Sequence, residues 1–291
     1  MHRLPVNALL ISALFVSHST SVFASENTEM AAEKGQVLVL LSSESAMTLA
    51  DGSQYQTGYY LNEFGVPADA LLKAGYQLVI ATPKGNAPRV DQNSVLPMYF
   101  DGSKQEMQRI EKVVNQLDGL RDPLSFDQLL QGGLQTYQAV FIPGGHAPLI
   151  DLANNPQVGE ILRHFHQAKK PTAAICHGPI ALLSAQAQPQ EYLTAMVNGE
   201  SQAAKQWIYQ DYKMTIFSTP EEQVFEQSLG GKSLTYYPAD AMKKAGGAMD
   251  YAEKWQPHVV VDRELITGQN PFSDDELAKQ LLKALNAQTK Q

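Results

Sequence analysis

The chain has 291 residues, 44% of them hydrophobic, a formal net charge of −8 and a single cysteine. This length supports one ample α/β core with insertions. The acidic balance, with no basic cluster to offset it, excludes nucleic acid and anionic membrane surfaces as partners of choice, and one cysteine excludes an intrachain disulfide.

Residues 1–24 read as a signal peptide. Arg3 gives a positive start, Val6 to Val16 is apolar but too short to span a bilayer, and Val22-Phe23-Ala24 offers cleavage before Ser25. The expected product is an exported protein, periplasmic or secreted, with no membrane insertion of the mature chain. A flexible segment over 25–34 is expected to precede one domain over 35–291.

Within that domain, Gln36 to Ser42 is an apolar run of strand length, as a sheet covered on both faces requires. A polar, Gly- and Tyr-containing loop follows, then a helix over Asn62 to Ala74 stopped by Gly75, and a strand over Tyr76 to Thr82. Pro83-Lys84-Gly85 is a turn. Met107, Ile110, Val113, Val114 and Leu117 recur at helical spacing within Ser103 to Leu117, and Ser125 caps a short helix to Leu130.

Gln138 to Ile142 is a strand ending in Pro143-Gly144-Gly145-His146. A helix from Gln157 to Ala168 leads to an apolar run ending at Cys176, and a further helix runs through Leu183. Lys213 to Phe217 reads as another strand, and Thr219-Pro220-Glu221-Glu222 opens a helix with a cap, a proline and first-turn acids. His258 to Val261 and Glu264 to Thr267 form a short strand pair. Ser273 to Glu276 reads as the capping box of a last helix to Asn286.

Alternating strands and helices predict a doubly wound, mostly parallel sheet sandwiched by helices, flavodoxin-like, as a single domain with insertions at 86–131 and 188–210. Ligands of such sheets bind beyond the carboxyl ends of the strands, where Cys176, Gly144-Gly145 and Thr219 to Glu222 all fall.

A thiol at the strand-to-helix corner Ile175-Cys176-His177-Gly178-Pro179 sits over the amides of the next helix. It is expected to ionise more readily than a free thiol and to act as a nucleophile. The histidines show no metal spacing: His164 and His166 are two apart on a helix and face different ways. Trp207, Tyr209 and Tyr212 are expected to pack an insertion.

Five segments in order carry a resemblance: Gly58-Tyr59-Tyr60-Leu61-Asn62-Glu63 with Pro67, Ala81-Thr82-Pro83-Lys84-Gly85, Phe141 to His146, Ala174 to Pro179, and Val261 to Pro271. Together they resemble the ThiJ/PfpI superfamily, whose fold is similar to class I glutamine amidotransferases, and within it the branch of chaperone-like, glutathione-independent glyoxalases (glyoxalase III). The resemblance implies Cys176 as nucleophile, His177 beside it, Glu63 as the carboxylate touching the thiol, and Glu222 as the acid orienting the histidine. Glu221 competes for that last role by a one-residue slip.

It also implies oxyanion or substrate contacts at Gly144, Gly145 and His146, with backbone donors at Gly145 and His177. His146 is expected to shape the pocket rim. The implied protein is a cofactor-free homodimer, with no metal, that acts on a small reactive carbonyl such as methylglyoxal to give lactate. Deglycation, small-amide hydrolysis, and a holdase chaperone with Cys176 as redox sensor are the alternatives.

Overall fold

The computed structural model describes residues 34–200 and 202–288, so the expected signal peptide lies outside the described residues. The strands in chain order are β1 Gln36–Leu40, β2 Ala46–Thr48, β3 Gln54–Gln56, β4 Gln77–Thr82, β5 Leu124–Ser125, β6 Tyr137–Ile142, β7 Thr172–Ile175, β8 Lys213–Met214, β9 Ala248–Met249, β10 Val259–Asp262 and β11 Leu265–Gly268. Seven of them form one sheet in the order β10-β11-β7-β6-β1-β4-β5. Every neighbour pair is parallel except the β10–β11 hairpin at one edge.

The chain winds outward from β1 in both directions, so β1 and β6 flank the switch in strand order, where a crevice opens at the carboxyl ends. Strand side chains alternate between faces, and the core divides accordingly. Leu38, Leu40, Val140, Ile142 and Ala174 join one apolar cluster. Val37, Val39, Ala139, Phe141, Ala173 and Ile175 join the other. This two-sided burial explains why the strands read as continuous apolar runs. Each fully buried Val, Leu, Ile or Phe side chain contributes about 1.5–3 kcal/mol.

The helices Leu61–Lys73 and Asp274–Gln288 pack against each other, and Lys104–Asn115 packs on the first of them. Ser103 caps Lys104–Asn115 by accepting from the Glu106 amide, and Ser125 forms a capping box with Gln128. No described helix is long and apolar enough to cross a membrane.

Several expectations need correction. Lys213 to Phe217 is not a strand of the main sheet: only Lys213–Met214 is a strand, paired with β9 in a separate two-stranded sheet. Beyond it, the Thr215 amide donates to Thr267 Oγ1 and the Phe217 amide to the Cys176 carbonyl, so this buried segment spends its donors outside a ladder. Ser273 does not cap the last helix, because its hydroxyl serves the Asn270–Ser273 box of the preceding turn. The residue caps of Thr219–Ser228 also shift by one, with Ser218 as cap and Glu221 closing its box. Residues 86–131 are not wholly an insertion, since β5 is the sheet's far edge.

Candidate active site

The backbone of Cys176 is pinned from both sides. Its amide donates to Gly268 O at 2.8 Å, and its carbonyl accepts from the Phe217 amide at 2.9 Å. Between those bonds its φ is +58°, a left-handed conformation that costs a non-glycine residue about 1–3 kcal/mol. The kink ends β7 and turns the chain into the 3₁₀ helix Gly178–Ala185, where an α-helix is expected from the sequence.

The thiol is buried, 2% exposed, rather than held out at the sheet edge. Burial pushes its pKa well above the ordinary value, and the Glu63 carboxyl pushes the same way, while the Gly145 amide pulls it down. The expected easy ionisation is therefore reversed. Desolvation and a neighbouring acid outweigh the amides at the turn.

Glu63 lies in the first turn of Leu61–Lys73 and is fully buried. The Tyr60 amide donates to Gly144 O at 3.3 Å and the Leu61 amide to Ser94 Oγ at 2.8 Å, which fixes where the helix begins. Burial raises the Glu63 pKa well above the usual carboxylate range, with Asp274 and Asp91 adding to the effect, so the site favours the protonated carboxyl. Its oxygens face Cys176 and the Gly144 amide, yet neither completes a hydrogen bond of regular geometry.

Glycine is required beside it. A Cβ at Gly144 would lie 2.3 Å from Glu63 Oε2 and 2.7 Å from Cys176 Cβ. Gly145 has φ +87°, and a Cβ there would lie 2.1 Å from Gly58 O.

His177 follows Cys176 with Nδ1 at 3.3 Å from the sulfur, and its Nε2 is 2.7 Å from Glu222 Oε2. The other oxygen, Oε1, is 2.8 Å from His146 Nε2. Burial would raise the Glu222 pKa, but His177 and His146 hold it at about 2. An ionised carboxylate only accepts, so His177 carries its proton on Nε2 and turns a bare Nδ1 toward the sulfur. Burial, and then His146, lowers the pKa of His177, which keeps the ring neutral and able to accept a proton.

Glu221, one residue away, points elsewhere. Its carboxylate accepts from the Ser218, Gln269 and Asn270 side chains and from the Trp255 amide. The geometry thus separates the two acids and pairs Glu222 with His177. His146 is not at the rim: it is 3% exposed, shares Glu222, and its ring lies tilted against His177 with centroids 4.0 Å apart.

Among the described residues, His146, His177 and Glu222 are the one group of three that could hold a metal ion, their ligand atoms lying within 4.8 Å of one another. Sequence spacing could not reveal this trio, which is drawn from three separate loops and helices. The carboxylate already accepts one ring N–H on each oxygen, so a metal would have to displace both hydrogen bonds.

A cavity of about 450 Å³ opens onto Cys176, His177 and His146. Its other walls include Tyr55, Tyr60, Tyr99, Phe217, Phe225 and Trp255, a set that sequence reasoning missed. Tyr55 sits on β3 of a hairpin whose turn contains Asp51-Gly52, and that dipeptide is a strong turn signal that could have revealed the hairpin. No described residue of 188–210 lines the cavity. Trp207 from that stretch is buried instead, donating to Leu182 O at 2.7 Å.

The sheet order, with a cysteine at a kinked strand end one strand from the switch, defines a flavodoxin-like α/β protein of the class I glutamine amidotransferase type. Residues 55–216 match the DJ-1/PfpI family, and the chain belongs to that family. It is 28% identical over 213 residues to the glutamine amidotransferase-like class 1 domain-containing protein 1 of Bos taurus, covering 73% of this chain and 82% of that one. It is 24% identical over 258 residues to the protein/nucleic acid deglycase HchA of Pseudomonas aeruginosa, covering 86% and 80%. In fold it is similar to the glyoxalase III of Candida albicans, with TM-score 0.65, 22% identity, and 87% and 98% of the two chains covered.

Proposed function

We propose that this chain is a thiol-dependent enzyme acting on small reactive carbonyls, and specifically that it converts 2-oxoaldehydes such as methylglyoxal to 2-hydroxy acids without glutathione. The observation that carries this reading is the pair of proton carriers beside one sulfur: the buried Glu63 carboxyl, and His177 with Nδ1 3.3 Å from the sulfur and Nε2 fixed by Glu222. Relatives named for deglycase and glyoxalase III chemistry support the same class of substrate.

The steps follow from proton positions. His177 Nδ1 takes the thiol proton as sulfur bonds to the aldehyde carbon, giving a hemithioacetal. The Glu63 carboxyl gives its proton to the aldehyde oxygen as that bond forms, and the carboxylate left behind then takes the proton from the same carbon and returns it to the neighbouring one. The Gly145 amide, which already donates toward the sulfur, stabilises the oxygen that becomes negative on the way. Water cleaves the resulting thioester and restores the thiol.

The test is release of lactate from methylglyoxal by purified protein with no added thiol. Activity lost in Cys176→Ala supports the reading. Activity absent from the intact protein, or retained in Cys176→Ala, refutes it.

A further inference from the structure

The cavity is far larger than a three-carbon aldehyde needs. Its volume of about 450 Å³ would hold about fifteen waters at roughly 30 Å³ each, and methylglyoxal would displace only a few of them. Pockets of such size typically enclose drug-sized ligands.

The lining is aromatic and uncharged. Tyr55, Tyr60, Tyr99, Phe225 and Trp255 form most of the walls, with Asn93 and Ser228 as polar neighbours, and among the described residues no lysine, arginine, aspartate or glutamate lines the space. These rings are braced rather than loose. Tyr55 and Phe225 meet edge to face at 5.1 Å, Tyr60 and Tyr99 at 5.5 Å, and Phe217 and Trp255 at 5.6 Å. The space is therefore built in advance of a ligand. A charged substituent would enter it with no counter-ion, whereas a flat apolar one would meet rings on several sides.

Resting on the function proposed above, we propose that the preferred substrates are uncharged 2-oxoaldehydes bearing an aryl or similarly bulky apolar group, with phenylglyoxal as the probe. The atoms balance as for the small aldehyde. Sulfur bonds to the aldehyde carbon, and the hydrogen on that carbon moves as a proton to the ketone carbon through the enediolate. Water then cleaves the carbon–sulfur bond. The aldehyde carbon is oxidised and the ketone carbon reduced, so the sum is addition of one water, giving mandelate.

The experiment compares kcat/KM for phenylglyoxal and methylglyoxal in the whole protein. The expected ratio favours phenylglyoxal by about tenfold or more, the discrimination an apolar pocket gives for added apolar bulk. Because the two aldehydes differ in intrinsic reactivity, Trp255→Ala and Phe225→Ala provide the control, and each should cut that ratio about tenfold. A ratio at or below one, or one unmoved by both substitutions, overturns the inference and leaves the proposed function standing.

If neither aldehyde is turned over, the proposed function fails, and binding to Cys176→Ala decides the pocket inference. Trp255 lines the cavity, so tryptophan fluorescence can follow titration with acetophenone against acetone, the unreactive ketones of matching shape. Binding at least about tenfold tighter for acetophenone supports an aryl-binding pocket, and equal or undetectable binding overturns it.

Discussion

Glu63→Gln separates proton transfer from nucleophilicity at this site. The carboxyl is fully buried, which favours its neutral form, and glutamine keeps its shape while losing the proton that can be given up and returned. General acid/base groups contribute about 10²- to 10⁴-fold, so turnover of a 2-oxoaldehyde should fall by that factor, roughly 3–5 kcal/mol of barrier. The thiol should respond in the opposite sense. Burial raises its pKa first and Glu63 second, so removing the carboxyl lowers it while the burial contribution stays.

Alkylation of Cys176 by iodoacetamide, followed across pH by mass spectrometry, should therefore have its midpoint at lower pH in Glu63→Gln than in the parent. Lactate formation should be nearly abolished in the same preparation. Turnover within about threefold of the parent would refute the acid/base role, and an alkylation midpoint that rises would refute the electrostatic account.

The two neighbouring glutamates should part company. Glu222→Gln cannot accept from both imidazoles and should cost about 10²-fold or more in kcat with little change in melting temperature, since His177 loses its orientation. Glu221→Gln places an amide among donors that all need an acceptor, so it should lower stability by about 2 kcal/mol, read as a lower melting temperature, with kcat per folded molecule little changed. Gly144→Ala forces Glu63 and Cys176 apart and should cost about 100-fold in turnover, the scale of a 1 Å misplacement. Burial pushes Asp274 from 3.8 up to about 7, and a raised acid leaves the folded state most favoured below its unfolded pKa. Stability should thus decline as pH rises from about 4 to 7, by on the order of 4 kcal/mol, and Asp274→Asn should remove that decline in denaturant titrations.

Much of the sheet is legible in the sequence because two-sided burial leaves long apolar runs such as Gln36–Leu40 and Tyr137–Ile142. Lys213 to Phe217 shows the limit of that signal. The segment is largely buried but satisfies its amides with Thr267 and Cys176 rather than with a ladder, and composition does not distinguish those partners. Glu63 is legible only through resemblance. A first-turn glutamate ordinarily faces water, and its burial depends on the helices packed around Leu61–Lys73. Glu222 and Glu221 cannot be told apart by motif alone. Helical residues one apart diverge by about 100°, and only the fold shows which direction leads to His177. The left-handed backbone of Cys176 is likewise a tertiary property, held by Gly268 and Phe217 from distant parts of the chain.

Burial favours the neutral arrangement of protons at the site: thiol on Cys176, carboxylic acid on Glu63, bare Nδ1 on His177. One negative charge, on Glu222, is placed where two ring N–H groups neutralise it. Burial sets this arrangement, because every charge separation in the pocket carries a desolvation cost. In the proposed reaction, charge need appear at sulfur only while the new carbon–sulfur bond is forming, when His177 takes the proton and Glu222 stabilises the imidazolium. The same logic assigns the two acids their different tasks. Glu222 has two donors and stays ionised, which makes it an anchor. Glu63 has no regular hydrogen bond and burial favours its protonated form, which leaves that proton free to move. Two carboxyls in one pocket are thus pushed toward opposite protonation states by what surrounds each, and that division is what the proposed redox-neutral proton shuttle at a single sulfur requires.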